Sequence, residues 1–182
     1  MGSLNEFLGQ MKGGGARANQ FKVIMNTPNI LTVDQDAQRK ATFMIKAAQL
    51  PGQTIGEIAV PFRGRNLYIP GDREFETWTT TVINDTDFGV RNIIEQWMNG
   101  ISDLENGLGA INPSTYQADL EVEQLDRVGT AGQSEGVVLK RYTLVGCWPT
   151  TLGAIDLSYE TQNEIEQFEV TWRYQHFTVS DS

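Results

Sequence analysis

From Pro61 to Asp85 the chain reads PFRGRNLYIPGDREFETWTTTVIND, and no other stretch restricts the possible folds as strongly. Two strand-like runs, Arg65–Ile69 and Phe75–Ile83, flank the punctuation Pro70-Gly71-Asp72-Arg73. Proline fixes its own φ and glycine tolerates positive φ, so that tetrapeptide is expected to turn the chain. The second run is rich in β-branched and aromatic residues, which suit a pleated, half-buried surface. Phe75, Thr77, Thr79 and Thr81 fall on one face, and Glu76, Trp78, Thr80 and Val82 on the other. Neither face is built for free solvent, so the sheet is expected to be covered on both sides.

The rest of the chain follows the same pattern. Phe21–Met25 reads as a strand closed by Thr27-Pro28-Asn29, and Thr42–Ala48 as a second strand. Asp34-Gln35-Asp36 resembles the start of a calcium loop, but its sixth position is Arg39 and no glutamate closes it, so a polar turn is expected. Leu50-Pro51-Gly52 interrupts the chain before an extended run over Ile55–Phe62, with Ile58 and Val60 on one face. The two prolines and three glycines between Gln49 and Arg65 suggest a long excursion rather than a tidy hairpin, and long ordered excursions tend to be contact surfaces.

One helix stands out, over about 87–101. Val90, Ile93, Ile94, Trp97, Met98 and Ile101 repeat at the 3.6-residue period, and Asp85 or Asp87 is placed to cap it. Loop follows over Gly107–Ser114. Tyr116–Leu125 then alternates Ala118, Leu120 and Val122 with Asp119, Glu121 and Glu123. A Gly-rich loop at 129–136 leads to a returning strand, Val137–Val145, and Cys147-Trp148-Pro149-Thr150 is expected to turn the chain. Ala154–Tyr159 and a long Ile165–Phe177 read as the last strands. Residues 1–20 form a separate arm with Leu4, Phe7, Leu8 and Met11 at helical spacing before Gly13-Gly14-Gly15. That arm is either a frayed terminus or a segment that orders on a partner. The expected fold is mainly β: an antiparallel barrel or sandwich over 21–182 with one flanking helix.

Composition sets limits on function. Hydrophobic residues make up 40% and charged residues 20%, as in a globular domain. A net charge of −9 argues against gripping nucleic acid, which needs clustered Lys and Arg. The single cysteine, Cys147, precludes an internal disulfide framework or a Cys-rich zinc site. No apolar run approaches bilayer length, no signal-peptide core opens the chain, and Glu6 breaks a myristoylation motif. A cytoplasmic site of synthesis without a membrane anchor is expected. No catalytic motif, cofactor loop or metal set emerges. His176 reads as a half-exposed structural histidine among aromatic residues, and Cys147 as a small buried hydrophobe.

Two blocks carry a family resemblance. The first is Gly71-Asp72-Arg73, Phe75, Trp78-Thr79 and Val82 through Asn84-Asp85. The second is Lys140, Gly146, Trp148-Pro149-Thr150, Gly153, Leu157, Ile165 and Phe168-Glu169-Val170-Thr171. With Leu50-Pro51-Gly52 and Val60–Arg65, they resemble the tail tube protein of contractile-tailed bacteriophages. The resemblance runs from about Phe21 to Phe177. It departs in the Gly-rich N-terminus, the Thr27–Lys40 insert and the loops 102–115 and 128–136.

The resemblance implies a non-enzymatic structural subunit of the virion. Six copies would form a ring whose sheets join into one lining, and rings would stack into a hollow tube. Implied partners are further copies of the chain, the tail sheath protein, a baseplate hub or tube initiator, a tape-measure protein and a tail terminator. DNA would pass through the lumen without specific binding, and no cofactor is implied. In such a tube, Glu74, Glu76, Asp119, Glu121 and Glu123 are the candidate lumen carboxylates, where negative charge would repel DNA. Leu50, Pro51, Val60, Phe62, Arg63 and Arg65 are the candidate ring-stacking residues. The tube of a type VI secretion or other contractile injection system is the alternative of the same kind. A small acidic β-domain that binds a ligand is the alternative of another class.

Overall fold

The computed structural model describes residues 4–11, 15–33, 35–127, 136–160 and 162–181. In chain order the elements are α1 (Leu4–Gln10), β1 (Phe21–Met25), α2 (Gln35–Met44), β2 (Ile45–Ala48), β3 (Gln53–Phe62), β4 (Arg65–Phe75) and β5 (Trp78–Ile83). These are followed by α3 (Gly89–Ile101), α4 (Pro113–Tyr116), β6 (Ala118–Leu125), β7 (Val138–Leu152), β8 (Gln167–Arg173) and β9 (His176–Asp181). The fold is mainly β and antiparallel, as expected. The Gly-rich loop expected at 129–136 lies, apart from Gly136, outside the described residues.

The long strand β7 organises the body. Its first part pairs with β6 on one side and β9 on the other, and β1 adds to β6, giving the order β1-β6-β7-β9. Its last part pairs with β8, which leads on through β5 to β2. The change of partner falls beside Gly146, whose φ of 66° is a left-handed conformation that favours glycine. A Cβ there would lie 3.0 Å from Gln175 Cγ, so the corner also needs a residue without a side chain. The Gly146 N–H, diverted from the ladder, donates to the Asp119 carboxylate at 2.9 Å. The segment Cys147–Thr150 therefore does not turn the chain. It lies inside β7, and the bend is one residue earlier.

The core lies between these strands and α3. Trp78, Val82, Phe168, Val170 and Trp172 face Val90, Ile93, Ile94 and Trp97 of the helix, together with Val23, Met25, Leu120, Val122 and Leu144. Three indoles meet there, Trp97 and Trp172 edge to face at 5.4 Å, and Trp78 and Trp172 at 6.5 Å. Each buried N–H finds an acceptor: Gln49 O for Trp78, Tyr116 O for Trp97, and the Thr80 hydroxyl for Trp172. On β5, Trp78, Thr80 and Val82 are buried and the alternate residues half-buried, so both faces are covered as its composition requires.

Several boundaries differ from the sequence reading. Residues 35–44 form α2 instead of a polar turn and the start of a strand, and only Ile45–Ala48 is extended. Ala37 and Ala41, four residues apart, let this helix lie close on the core, which outweighs the β-propensity of Thr42-Phe43. The single flanking helix thus has a second companion. α3 begins at Gly89 with Phe88, not Asp85 or Asp87, at the N-cap (φ 53°) and no side-chain cap bond; the Asp87 carboxylate accepts from the Gly89 N–H at 2.9 Å. Ala154–Tyr159 is not a strand. The expected final strand is β8 followed by β9, interrupted at Tyr174-Gln175 where β7 itself bends.

Pro70–Arg73 is not a turn either. It lies within β4, where the register with β3 shifts between Ile55 and Glu57. Such a bulge accommodates a proline, which has no N–H for the ladder. Gly56 and Gly71 pack back to back there, and a Cβ on Gly71 would meet Gly56 O at 3.2 Å. The chain reverses instead at Arg63-Gly64, with φ of 47° and 81°, the positive pair that a two-residue hairpin turn needs. What read as a long excursion is a regular hairpin.

Candidate assembly surfaces

β3 and β4 form their own two-stranded sheet, and every residue of β3 is exposed. Ten residues of strand project about 33 Å. The register pairs Ile58 with Ile69, Val60 with Leu67 and Phe62 with Arg65, so these residues share one face. That face is almost wholly apolar, yet Phe62 is 65% and Leu67 63% exposed. A lone hairpin is marginal in water, and an apolar ribbon with both sides wet is a surface that lacks its partner.

Of the stacking candidates named from sequence, the structure puts Val60, Phe62 and Arg65 on this face and Arg63 in the turn. The Arg63 guanidinium lies over the Phe62 ring, 5.2 Å from its centroid. Leu50 and Pro51 are at the root of the arm, before β3 begins. Ile58, Leu67 and Ile69 belong with them and were not singled out. Their signal is the alternation on both sides of Arg63-Gly64, which a turn at Pro70-Gly71 would break.

The five candidate carboxylates do not form one surface. Glu74 and Glu76 line a cleft at the root of the arm with Arg73, Arg173, Trp148 and Tyr174. Asp119, Glu121 and Glu123 belong to β6, on the face of the β1-β6-β7-β9 sheet opposite the core residues Leu120 and Val122. Their roles differ. Asp119 holds the Gly146 corner. Glu123 is only 4% exposed and accepts from Arg141 Nε at 2.7 Å and a terminal guanidinium nitrogen at 2.5 Å. Glu121 is half-buried, 3.5 Å from the same Arg141. Lys22 stands opposite Glu123 in the register. Three carboxylates thus share the face with two cations, leaving a weakly negative balance.

The sheet itself has two open edges. Among the described residues β1 pairs only with β6, and β9 only with β7. Four strands of alternating direction make β9 antiparallel to β1, so a further β1 laid beside β9 would continue the same antiparallel alternation.

His176 is exposed at the start of β9, and Cys147 is buried with its thiol pushed up to about 12 by desolvation. Among the described residues no helix is long and apolar enough to cross a membrane.

Residues 16–180 match the profile of the phage tail tube protein family. The chain is 33% identical over 176 residues to the tail tube protein of Serratia phage KSP90, covering 96% of this chain and 95% of that protein. It is 32% identical over 145 residues to tail tube protein gp19 of Enterobacteria phage T4, covering 79% and 85%. Among solved structures, the sheath–tube complex of an extracellular contractile injection system aligns over 100% of both chains with a TM-score of 0.61 at 13% identity, a likeness of fold. With the family profile spanning nearly the whole sequence and the relatives matched over most of theirs, this chain is a member of the phage tail tube protein family.

Proposed function

We propose that this chain is a structural subunit of a phage virion, forming six-membered rings that stack into the tube through which the genome leaves the particle. The observation that carries this reading is the β3–β4 arm, whose apolar face is left exposed by the described residues. Ring closure follows from the open edges. β9 of one copy meets β1 of the next, a head-to-tail contact that closes when the rotation per copy divides a full turn. The same pairing removes two edges that would otherwise invite aggregation. In that ring the β1-β6-β7-β9 sheets line the lumen, with Glu121 and the Glu123–Arg141 pair facing it. A weakly negative wall with its cations already paired offers DNA phosphates few places to bind.

The role is structural rather than catalytic. The partners are other copies of the chain, a surrounding sheath, the baseplate that starts the tube, the terminator that ends it, and a tape-measure protein within. The likeness in fold to injection-system tubes gives the alternative reading, in which the lumen carries protein cargo instead of DNA.

The test is to replace Phe62 and Leu67 by Asp, both exposed and free of any role in the body. The variant should stay folded and form rings, but sedimentable tubes should be lost. Tubes of normal yield and length from this variant would reject the stacking role of the arm.

A further inference from the structure

One buried side-chain polar group has no hydrogen-bond partner among the described residues, the hydroxyl of Tyr174. Tyr174 is 4% exposed, and its ring packs on Phe75 and Phe177 with centroids at 6.1 and 6.4 Å. Burial raises its pKa above the ordinary 10.0, so the group is a neutral O–H. A buried hydroxyl left unsatisfied is a cost to the fold, and it points to a partner supplied from outside the subunit.

Tyr174 lines the root cleft, a space of about 680 Å³ with Phe75 and Trp148 among its walls. Arg73, Arg173, Glu74 and Glu76 stand around it, and none of the four makes an ion pair among the described residues. The two positive and two negative groups balance, so the cleft suits a neutral polar occupant better than an ion. It also opens at the start of an unpaired sheet edge, because Gln175 lines it and β9 begins at His176.

The ring contact brings a second copy to that place. Phe177 and Val179 of β9 stand opposite Leu144 and Tyr142, on the core side of the sheet, and Val23 and Met25 of β1 are buried on the same side. Residues directly opposite in an antiparallel pair share a face, and a slip of one residue would turn the apolar side outward. Of the registers that remain, one pairs every residue of β1. It sets Phe177 against Met25, Val179 against Val23 and Asp181 against Phe21. Continued past β1, it brings Thr27 level with Gln175 and Pro28 level with Tyr174. There the Pro28 carbonyl accepts from the Leu31 N–H at 3.0 Å, a tight turn that carries Asn29 near its tip. Asn29 is exposed, and its side chain makes no hydrogen bond among the described residues. A carboxamide is neutral and both donates and accepts, as the cleft requires.

Building on the ring contact between β9 and β1, we propose that the root cleft of one copy receives Asn29 of the next copy in the ring. The Asn29 side-chain oxygen accepts from the Tyr174 hydroxyl, and its NH2 group donates to Glu76. The cleft is incomplete in the single subunit and is filled when the ring forms. A shift of two residues would carry Asn29 past Tyr174, so the same contact fixes how the sheets join. The turn lies in Thr27–Lys40, where the chain departs from the family pattern, so copies of this chain recognise one another through a residue of their own.

The experiment measures ring formation by sedimentation velocity for the purified full chain and its variants. Tyr174→Phe removes the hydroxyl alone. Its free subunit should melt no lower than the parent, while the concentration that puts half of the chain into rings should rise about fivefold, the loss of one hydrogen bond per contact. Asn29→Ala should act in the same way, and the double variant should be no worse than either single one. Rings of parent strength from Tyr174→Phe, or losses that add in the double variant, would overturn the proposal. Disulfide trapping reads the register without touching either residue. Thr178→Cys with Ile24→Cys should oxidise into covalent rings, and Thr178→Cys with Lys22→Cys should not, native Cys147 taking no part because it is buried. The reverse result would place Asn29 away from Tyr174 and overturn the contact while leaving the ring. Parent protein that forms no rings, even with a baseplate, would reject the ring reading itself.

Discussion

Arg141 shows how a surface-looking residue comes to be required by the fold. Glu123 alternates with core residues on β6 and by period should be solvated, yet it lies almost fully covered against the guanidinium. Taking Arg141 away leaves a buried carboxylate without its donors, an omission that costs about 1–3 kcal/mol for an unsatisfied buried group. Arg141→Met is therefore expected to destabilise by roughly 2 kcal/mol in denaturant melts. Restoring neutrality with Glu123→Gln in the same chain should recover part of the loss. For the same reason Glu121 alone, rather than Glu121 with Glu123, is the residue to reverse when lumen charge is tested.

Lys40 makes a second residue-scale case. It clasps Asp85 at 2.6 Å and Asp87 at 2.5 Å, tying α2 to the approach to α3. The Lys40 ammonium, with backbone N–H groups of Thr86 and Gly89, holds both carboxyls below their ordinary 3.8, and the two carboxylates raise Lys40 above 10.5. The carboxylates' contribution is present above 3.8 and lost as pH falls through their lowered values. Lys40's is present below 10.5 and lost as pH rises through its raised one. Stability should hold across neutral pH and fall off in acid. The Lys40→Met variant should show a shallower acid limb, and its difference from the parent should vanish well below pH 3.8. High salt should narrow the same difference, since the groups are partly exposed.

At the scale of elements, the sequence made plain whatever depends on local periodicity. The α3 stripe and the β5 and β6 alternations were read correctly because one buried face imposes one period. What stayed hidden depends on another part of the chain. β7 runs straight through Cys147-Trp148-Pro149 only because Asp119, on a different strand, takes up the Gly146 N–H. β4 passes through Pro70-Gly71 only because Gly56 opposite leaves room for the bulge. α2 resembled a strand from Thr42 on because its helical face is short and made of alanines. For the proposed assembly surface, the sequence singles out Val60, Phe62, Arg63 and Arg65 as residues, but not the continuous apolar face, which exists only once the register is known.

The arm also makes the element-scale prediction. Trypsin should cut the free subunit first after Arg63 or Arg65, which are exposed at the end of a ribbon that nothing else holds. In assembled tubes the same bonds should be protected. Equal cleavage rates in the two states would mean that the tip stays in solvent and does not enter a neighbour.

For the whole molecule, two features reach beyond the single subunit. In the proposed tube, the open edges at β1 and β9 would extend the sheet around a ring, and the arm would extend the assembly along the axis. On this proposal a subunit with both is completed by further copies, which would cover its apolar ribbon and pair its sheet edges.

The most direct measurement is electron microscopy of the purified protein at high concentration, alone and with a baseplate to start growth. Hollow rods with sixfold end views, a lumen lined by the β1-β6-β7-β9 sheets and arms bridging successive rings are expected. Single subunits that never join, even with a baseplate present, or rings that close through surfaces other than β1 and β9, would contradict the account.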